Sequence, residues 1–251
     1  MDPKNLLSYQ LLPKNAPTIL FLHGFLGSAA QWDPIIYHYK KSFQILLLEL
    51  PGHGVNDCEA SYSIEDLAAD VNMSLMQCGI KAVHFVGHSM GGYVGCAFAK
   101  AYSDKLLSLT LINSCATADA TDRQMQRNRA LKLVEKYPNA FTSMAITNLF
   151  TSVEREHFTT EIELMKSQAM HMSTSGISNA IKAMRDRASQ LNTLKNAGFP
   201  IQYIYGSRDE VISKEVIEEE IELLNVEFAE LDSGHMSLIT HPNKIVELHF
   251  I

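Results

Sequence analysis

Residues 85–92 read Phe-Val-Gly-His-Ser-Met-Gly-Gly, and this run constrains the fold more than any other stretch of the chain. Gly87 and Gly91 flank Ser89 in the pattern G-x-S-x-G. Before it, Ala82-Val83-His84-Phe85-Val86 is a short β-prone run; after it, Tyr93 to Tyr102 is Ala-rich and suited to a helix. A serine on so tight a strand-to-helix turn is forced into a strained backbone conformation that exposes its hydroxyl. Small neighbours are required there because the turn leaves no room for side chains. The start of the helix also offers the Met90 N–H to a developing negative charge.

A serine hydroxyl is a weak nucleophile at neutral pH and needs a base. Downstream, Ile201-Gln202-Tyr203-Ile204-Tyr205 reads as a buried strand followed by Gly206-Ser207-Arg208-Asp209, and Val226 to Leu231 reads as another followed by Asp232-Ser233-Gly234-His235. A carboxylate and a histidine thus each stand just past the C-terminal end of a predicted strand, the edge at which open α/β sheets build their sites. The chain order is Ser, Asp, His. Upstream, Thr18-Ile19-Leu20-Phe21-Leu22 leads into His23-Gly24-Phe25-Leu26-Gly27, a loop able to aim the Phe25 N–H at the same oxyanion.

His23-Gly24-Phe25, Leu50-Pro51-Gly52-His53-Gly54, Gly87-His88-Ser89-Met90-Gly91-Gly92, Gly206-Ser207-Arg208-Asp209 and Gly234-His235 occur in the order found in the α/β-hydrolase superfamily, which most of the chain resembles. The resemblance implies a mostly parallel sheet of about seven strands with helices on both faces. It makes Ser89 the nucleophile, His235 the general base and Asp209 the orienting acid, with the Phe25 and Met90 amides as oxyanion hole. It implies an esterase-like enzyme that cleaves small-molecule carboxylic esters through an acyl-enzyme. Thioester hydrolysis, carbon–carbon bond hydrolysis and the pyruvate-eliminating lyase chemistry of the menaquinone pathway use the same three residues and stay open. The lyases carry an arginine immediately after Ser-x-Gly-Gly, where this chain has Tyr93. A silent-triad binding protein is a further, non-enzymatic alternative. Fold alone does not choose among these.

Strand-like runs fall at about 6–12, 18–23, 44–50, 82–87, 106–112, 200–206 and 226–231. Ser63-Ile64-Glu65-Asp66 opens a helix with a serine cap and an acid three residues later, and Gly79 stops it. A later helix begins near Ser213; its Glu218, Glu219, Glu220 and Glu222 read as a solvated face. Between Asn113 and Pro200 the alternation breaks into helical stretches at about 121–137, 139–150, 154–171 and 174–187. An insertion at this place, after the family's sixth strand, resembles the family's lid. The division expected is a core of residues 1–113 and 199–251 and a lid of 114–198.

At 251 residues the chain is long for one domain but within the size that α/β folds reach without dividing, and its 46% apolar content gives ample core. Its net charge of −7 argues against a nucleic-acid partner. No apolar run is long enough for a membrane span, and the first residues do not resemble a secretory signal. Cys58, Cys78, Cys96 and Cys115 lack any paired spacing and read as reduced, which with the rest implies a cytoplasmic protein. The ten histidines show no metal-binding spacing, so neither metal nor cofactor is expected, and oligomeric state is not legible. Residues 114–198 hold 11 Lys/Arg against 8 Asp/Glu, whereas the remainder holds 10 against 20. Arg123, Arg127, Arg129 and Lys132 read first as a solvated helix face and second as an attractor for anionic substrates. His23 and His53 read as turn organisers, His88 as a neutral side chain behind the elbow, His241 as a poorer base than His235, and Trp32 as packing or pocket lining.

Overall fold

The computed structural model describes residues 8–11, 16–54, 56 and 58–248. Its strands are β1 (Ser8–Leu11), β2 (Thr18–Leu22), β3 (Gln44–Leu48), β4 (Val83–His88), β5 (Leu106–Ile112), β6 (Ile201–Gly206) and β7 (Glu227–Leu231). They form one sheet in the order β1-β3-β2-β4-β5-β6-β7. Six strands, β2 to β7, run parallel. The short β1 closes one edge antiparallel to β3, where Ser8 faces Leu48 and Leu11 faces Ile45. Of the strand expected at 6–12, residues 6, 7 and 12 lie outside the described residues, as do 1–5, 13–15 and 249–251 of the expected core.

Helices α1 (Asp33–Tyr39), α2 (Ile64–Gln77) and α3 (Met90–Ala101) serve the first crossovers, and α10 (Lys214–Leu224) the last. The inner strands β2 to β6 are covered on both faces, so they read as mostly apolar runs whose side chains alternate between two cores, whereas the edge strand β7 is largely exposed. Leu20, Leu22, Leu46, Leu48, Phe85, Leu109, Leu111 and Tyr203 join residues of α2, α3 and α10 in one core. Ile19, Phe21, Ile45, Leu47, Val86, Ile112 and Ile204 join α1 and the C-terminal helices α11 (Ser237–Thr240) and α12 (Pro242–Glu247) in the other. A one-residue slip of any strand would exchange the two sets, which fixes the register.

Local signals act as read. Ser63 Oγ accepts from the Asp66 N–H at 3.0 Å and Asp66 Oδ2 accepts from the Ser63 N–H at 2.9 Å, a reciprocal cap worth about 1 kcal/mol. Gly79 ends the helix region at φ +68°, a conformation that disfavours side chains. Trp32 is fully buried with its ring centroid 5.0 Å from that of Phe21, so it packs the core. The acidic face of α10 is a correction: Glu220 is buried, not solvated. Its carboxylate accepts from the Ala116 and Thr117 N–H groups at 2.7 and 2.8 Å and from the Tyr203 hydroxyl at 2.8 Å. A buried charge persists only where hydrogen bonds replace its water, and three donors do so here.

Between β5 and β6 lie six helices: α4 (Thr121–Lys136), α5 (Pro138–Thr147), α6 (Ser152–His157), α7 (Thr159–Ala169), α8 (Thr174–Asp186) and α9 (Leu191–Lys195). The stretch expected at 154–171 is two helices, because Phe158 leaves helical geometry at φ −113°, ψ 33°. The inserted helices do not form a core of their own. Val134, Phe141, Ile146, Phe150, Ile162, Met165 and Ile177 join one face of the sheet, and Ala180, Met184 and Leu194 the other.

Candidate active site

Ser89 stands between β4 and α3 at φ 51°, ψ −117°, a backbone conformation rare for a residue with a side chain. The strain is sustained by its surroundings. The Ser89 N–H donates to Ile112 O at 3.0 Å, and Ser89 O accepts from the Gly92 N–H at 2.9 Å and the Ser114 hydroxyl at 2.8 Å. A Cβ at Gly91 would fall on the Leu22 carbonyl oxygen, so the elbow closes against β2 only with glycine there. A Cβ at Gly24 would come within 3.0 Å of Ser89 Cβ, which sets the loop carrying Phe25 directly beside the serine. Met90, whose N–H the sequence points to an oxyanion, is the first residue of α3.

Asp209 follows β6 and His235 follows β7, and the parallel pairing of β4, β5, β6 and β7 brings all three loops to one edge. Ser89 Oγ lies 2.9 Å from His235 Nε2, and His235 Nδ1 lies 2.7 Å from Asp209 Oδ2. An ionised carboxylate only accepts, so Nδ1 carries the ring proton and Nε2 is left to accept from the serine hydroxyl. All three side chains are buried. Asp209 is fully engaged: Oδ1 accepts from the Val211 and Ile212 N–H groups at 2.8 and 3.0 Å, and Oδ2 also accepts from Asn113 Nδ2 at 3.0 Å. Burial pushes the Asp209 carboxyl up, but the His235 ring beside it and the hydrogen bonds from His235, Ile212 and Asn113 outweigh this and hold it below the ordinary value.

A family model described as the alpha/beta hydrolase fold matches residues 17–242. The chain belongs to this family. As an α/β hydrolase it is 23% identical over 247 residues to 3-oxoadipate enol-lactonase 1 of Acinetobacter baylyi, covering 94% of this chain and 88% of that protein. It is 24% identical over 261 residues to a monoacylglycerol lipase of Homo sapiens, covering 96% and 76%. Among solved structures, an enol-lactonase from Burkholderia xenovorans superposes with a TM-score of 0.89 at 21% identity, covering 97% of this chain and 94% of that one. A thermophilic esterase from Thermogutta terrifontis also gives 0.89, at 22% identity over 97% and 91%. At these identities the structural likenesses establish the fold.

Within this α/β hydrolase, sequence reasoning missed Asn113. It is fully buried at φ 45°, and its side chain reaches Asp209, the Gly234 carbonyl at 3.2 Å and the Ser237 hydroxyl. The available signal is an asparagine at the end of a strand, since Asn tolerates the left-handed region better than most residues. The arginine cluster divides. Arg127 pairs with Asp119 at 3.1 Å, Arg123 hydrogen-bonds Gln126 and lines a cavity of about 510 Å³ beside Tyr93 and Arg187, and Arg129 is exposed. Ser89 and His235 are not among that cavity's lining residues. The Arg187 guanidinium lies 3.8 Å over the Tyr93 ring and is bound to Asp119.

His23, His53 and His88 are structural. His23 Nδ1–H donates to its neighbour Gly24 O at 2.9 Å, and His23 Nε2 accepts from the Leu50 N–H at 3.0 Å, with Glu49 Oε1 2.9 Å away. His88 Nε2–H donates to His235 O at 2.9 Å; burial and the nearby His235 push its pKa down to about 3. His53, buried against His23, is likewise pushed down to about 3. His241 contacts Thr240 at 2.9 Å. Both buried rings are neutral when folded and titrate near 6.5 when unfolded, so the unfolded chain binds more protons as pH falls. Stability is therefore expected to be fully present above about pH 6.5 and to decline progressively toward pH 3. Thermal melts at pH 7, 6, 5 and 4 should show a falling Tm. His53→Ala should lower Tm at pH 7 but narrow its gap to the parent chain at pH 4; parallel curves would rule out His53 as a source of the acid sensitivity.

Proposed function

We propose that this α/β hydrolase cleaves small carboxylic esters, cyclic esters included, through an acyl-enzyme on Ser89. The observation that carries the reading is the in-line pair of contacts, Ser89 Oγ to His235 Nε2 at 2.9 Å and His235 Nδ1 to Asp209 at 2.7 Å, on a strained elbow. His235 takes the Ser89 proton as Oγ adds to the ester carbonyl carbon. The N–H groups of Phe25 and Met90 receive the resulting oxyanion. Collapse expels the alcohol, which takes the proton back from His235. Water then adds to the acyl-enzyme with His235 again as base, releasing the acid and restoring Ser89. Asp209 holds the imidazole in the productive tautomer and stabilises its charged form.

The carbonyl class is supported by relatives named as enol-lactonase and monoacylglycerol lipase. In the same reading residues 114–198 are a lid on the core of 1–113 and 199–251. Supporting contacts join its helices to the core loops after β2 and β3: the Gln168–Ser28 hydrogen bond at 3.2 Å, Asn179 Nδ2 to Ala60 O at 3.0 Å, and the packing of Gly176 on Gly52. Water exclusion beneath such a cover strengthens the oxyanion contacts. In the same reading the protein works in a reducing, cytoplasmic compartment, where its cysteines stay as thiols. Turnover of a panel of p-nitrophenyl esters, aliphatic lactones and acyl-CoA thioesters tests the assignment. Hydrolysis of esters or lactones at least tenfold faster than thioesters is expected; no hydrolysis of any oxygen ester by protein that reacts with a fluorophosphonate would refute the ester reading.

A further inference from the structure

Gly234 and His235 present four backbone polar groups, and three separate parts of the chain hold them. Gly234 O accepts from Asn113 Nδ2 at 3.2 Å, and His235 O accepts from His88 Nε2–H at 2.9 Å, both from strand ends of the core. The other two partners come from the inserted helices. The His235 N–H donates to Leu149 O at 2.9 Å, and the Gly234 N–H donates to Glu154 Oε1 at 2.9 Å.

Glu154 is only 5% exposed. Its second oxygen accepts from the Thr151 N–H at 2.8 Å, and the Glu154 N–H donates to Thr151 Oγ1 at 3.2 Å, which caps α6. No Lys, Arg or His nitrogen among the described residues lies within ion-pair distance of it. A capping acid does not require burial, as the exposed Asp66 at the start of α2 shows with the same reciprocal geometry. Burying an unpaired carboxylate is costly, so the cap alone does not account for Glu154. What distinguishes it from Asp66 is the bond to Gly234, beside the histidine. A Cβ at Gly234 would come within 2.7 Å of Glu154 Oε2, so the carboxylate lies directly against that backbone.

We infer that Glu154 is a positioning residue for His235: its carboxylate fixes the Gly234 N–H and, with Leu149 O, docks the corner between α5 and α6 onto the loop that aims the imidazole. This rests on reading His235 as the general base. Its consequence is that substrate enters without lifting that corner, because lifting it frees two of the four groups that orient the histidine.

The test compares Glu154→Ala, Glu154→Leu and Thr151→Ala, with His235→Ala beside them, in ester hydrolysis. Leucine fills the volume without an acceptor, and Thr151→Ala removes the hydroxyl half of the cap but leaves Gly234 held. Misplacing a reacting group by about 1 Å costs on the order of 10²-fold. The Glu154 variants are expected to lose roughly 30- to 100-fold in kcat with KM within about twofold, while Thr151→Ala stays within about threefold in both. A folded Glu154 variant with the kcat of Thr151→Ala, or with a loss in KM alone, overturns the inference. If neither variant folds, amide exchange on the native protein decides. Gly234 and His235 exchanging together with the 149–154 segment supports it, and exchange independent of that segment overturns it. Retained turnover in His235→Ala is a separate result and defeats the base assignment itself.

Discussion

Ser89→Ala is expected to lower ester turnover by about 10⁴-fold or more while the protein stays folded, since loss of a covalent nucleophile removes the acyl-enzyme route entirely. The serine hydroxyl makes one hydrogen bond, to His235 at 2.9 Å. The bonds that sustain the elbow belong to the backbone, from Ser89 N to Ile112 O and from Gly92 N and Ser114 Oγ to Ser89 O, and alanine keeps them. The loss should therefore appear in kcat and not in Tm. Steady-state kinetics beside a thermal melt separates the two, and turnover within tenfold of the parent in a folded variant would remove Ser89 from the chemistry.

Asp209→Asn is expected to cost roughly 10³- to 10⁴-fold in kcat, together with a measurable loss of stability. Four donors converge on this carboxylate, from Val211, Ile212, His235 and Asn113. An amide offers one acceptor oxygen and turns an NH₂ toward the remaining donors. If the NH₂ faces Val211 and Ile212, two buried N–H groups lose their acceptor, at about 1–3 kcal/mol each. If it faces His235, the ring flips its proton to Nε2 and can no longer accept from Ser89. Both outcomes damage the protein, the second through catalysis and through the buried Asn113 amide, whose Nδ2 loses the Oδ2 acceptor that it shares with His235. Kinetics combined with denaturant unfolding would show it; an unaltered kcat would mean that the tautomer of His235 is set by something other than Asp209.

What the sequence made legible was whatever is encoded locally. The runs of the inner strands β2, β3, β4, β5 and β6 are mostly apolar because both sheet faces are covered there, so each stands out from its polar connections, whereas the edge strand β7 keeps Glu227 and Glu230 and is largely exposed. Ser63 with Asp66 announces α2, and Gly87-x-Ser89-x-Gly91 announces the elbow, because steric closure and capping depend on neighbours in the chain. Asp209 and His235 were found because parallel topology carries strand ends to one edge. Residues whose roles depend on distant partners stayed hidden. Glu220 looks like one more exposed acid until Ala116 and Thr117 fold over it, about a hundred residues away in the chain. Asn113 reads as the end of a strand until it meets Asp209, and Glu154 as the start of a helical stretch until it meets Gly234. The break at Phe158 has no glycine or proline to mark it, only the weak helix formers His157, Thr159 and Thr160 around it.

The central claim is that Ser89 is activated by His235 to form a covalent bond with a carbonyl carbon. Intact-protein and peptide mass spectrometry after treatment with a fluorophosphonate probe tests it most directly. A single adduct is predicted, on the peptide that contains Ser89, formed within minutes by the parent chain, absent in Ser89→Ala and slowed by at least about 10²-fold in His235→Ala. An adduct on another residue, or one at Ser89 that forms equally fast without His235, would contradict it.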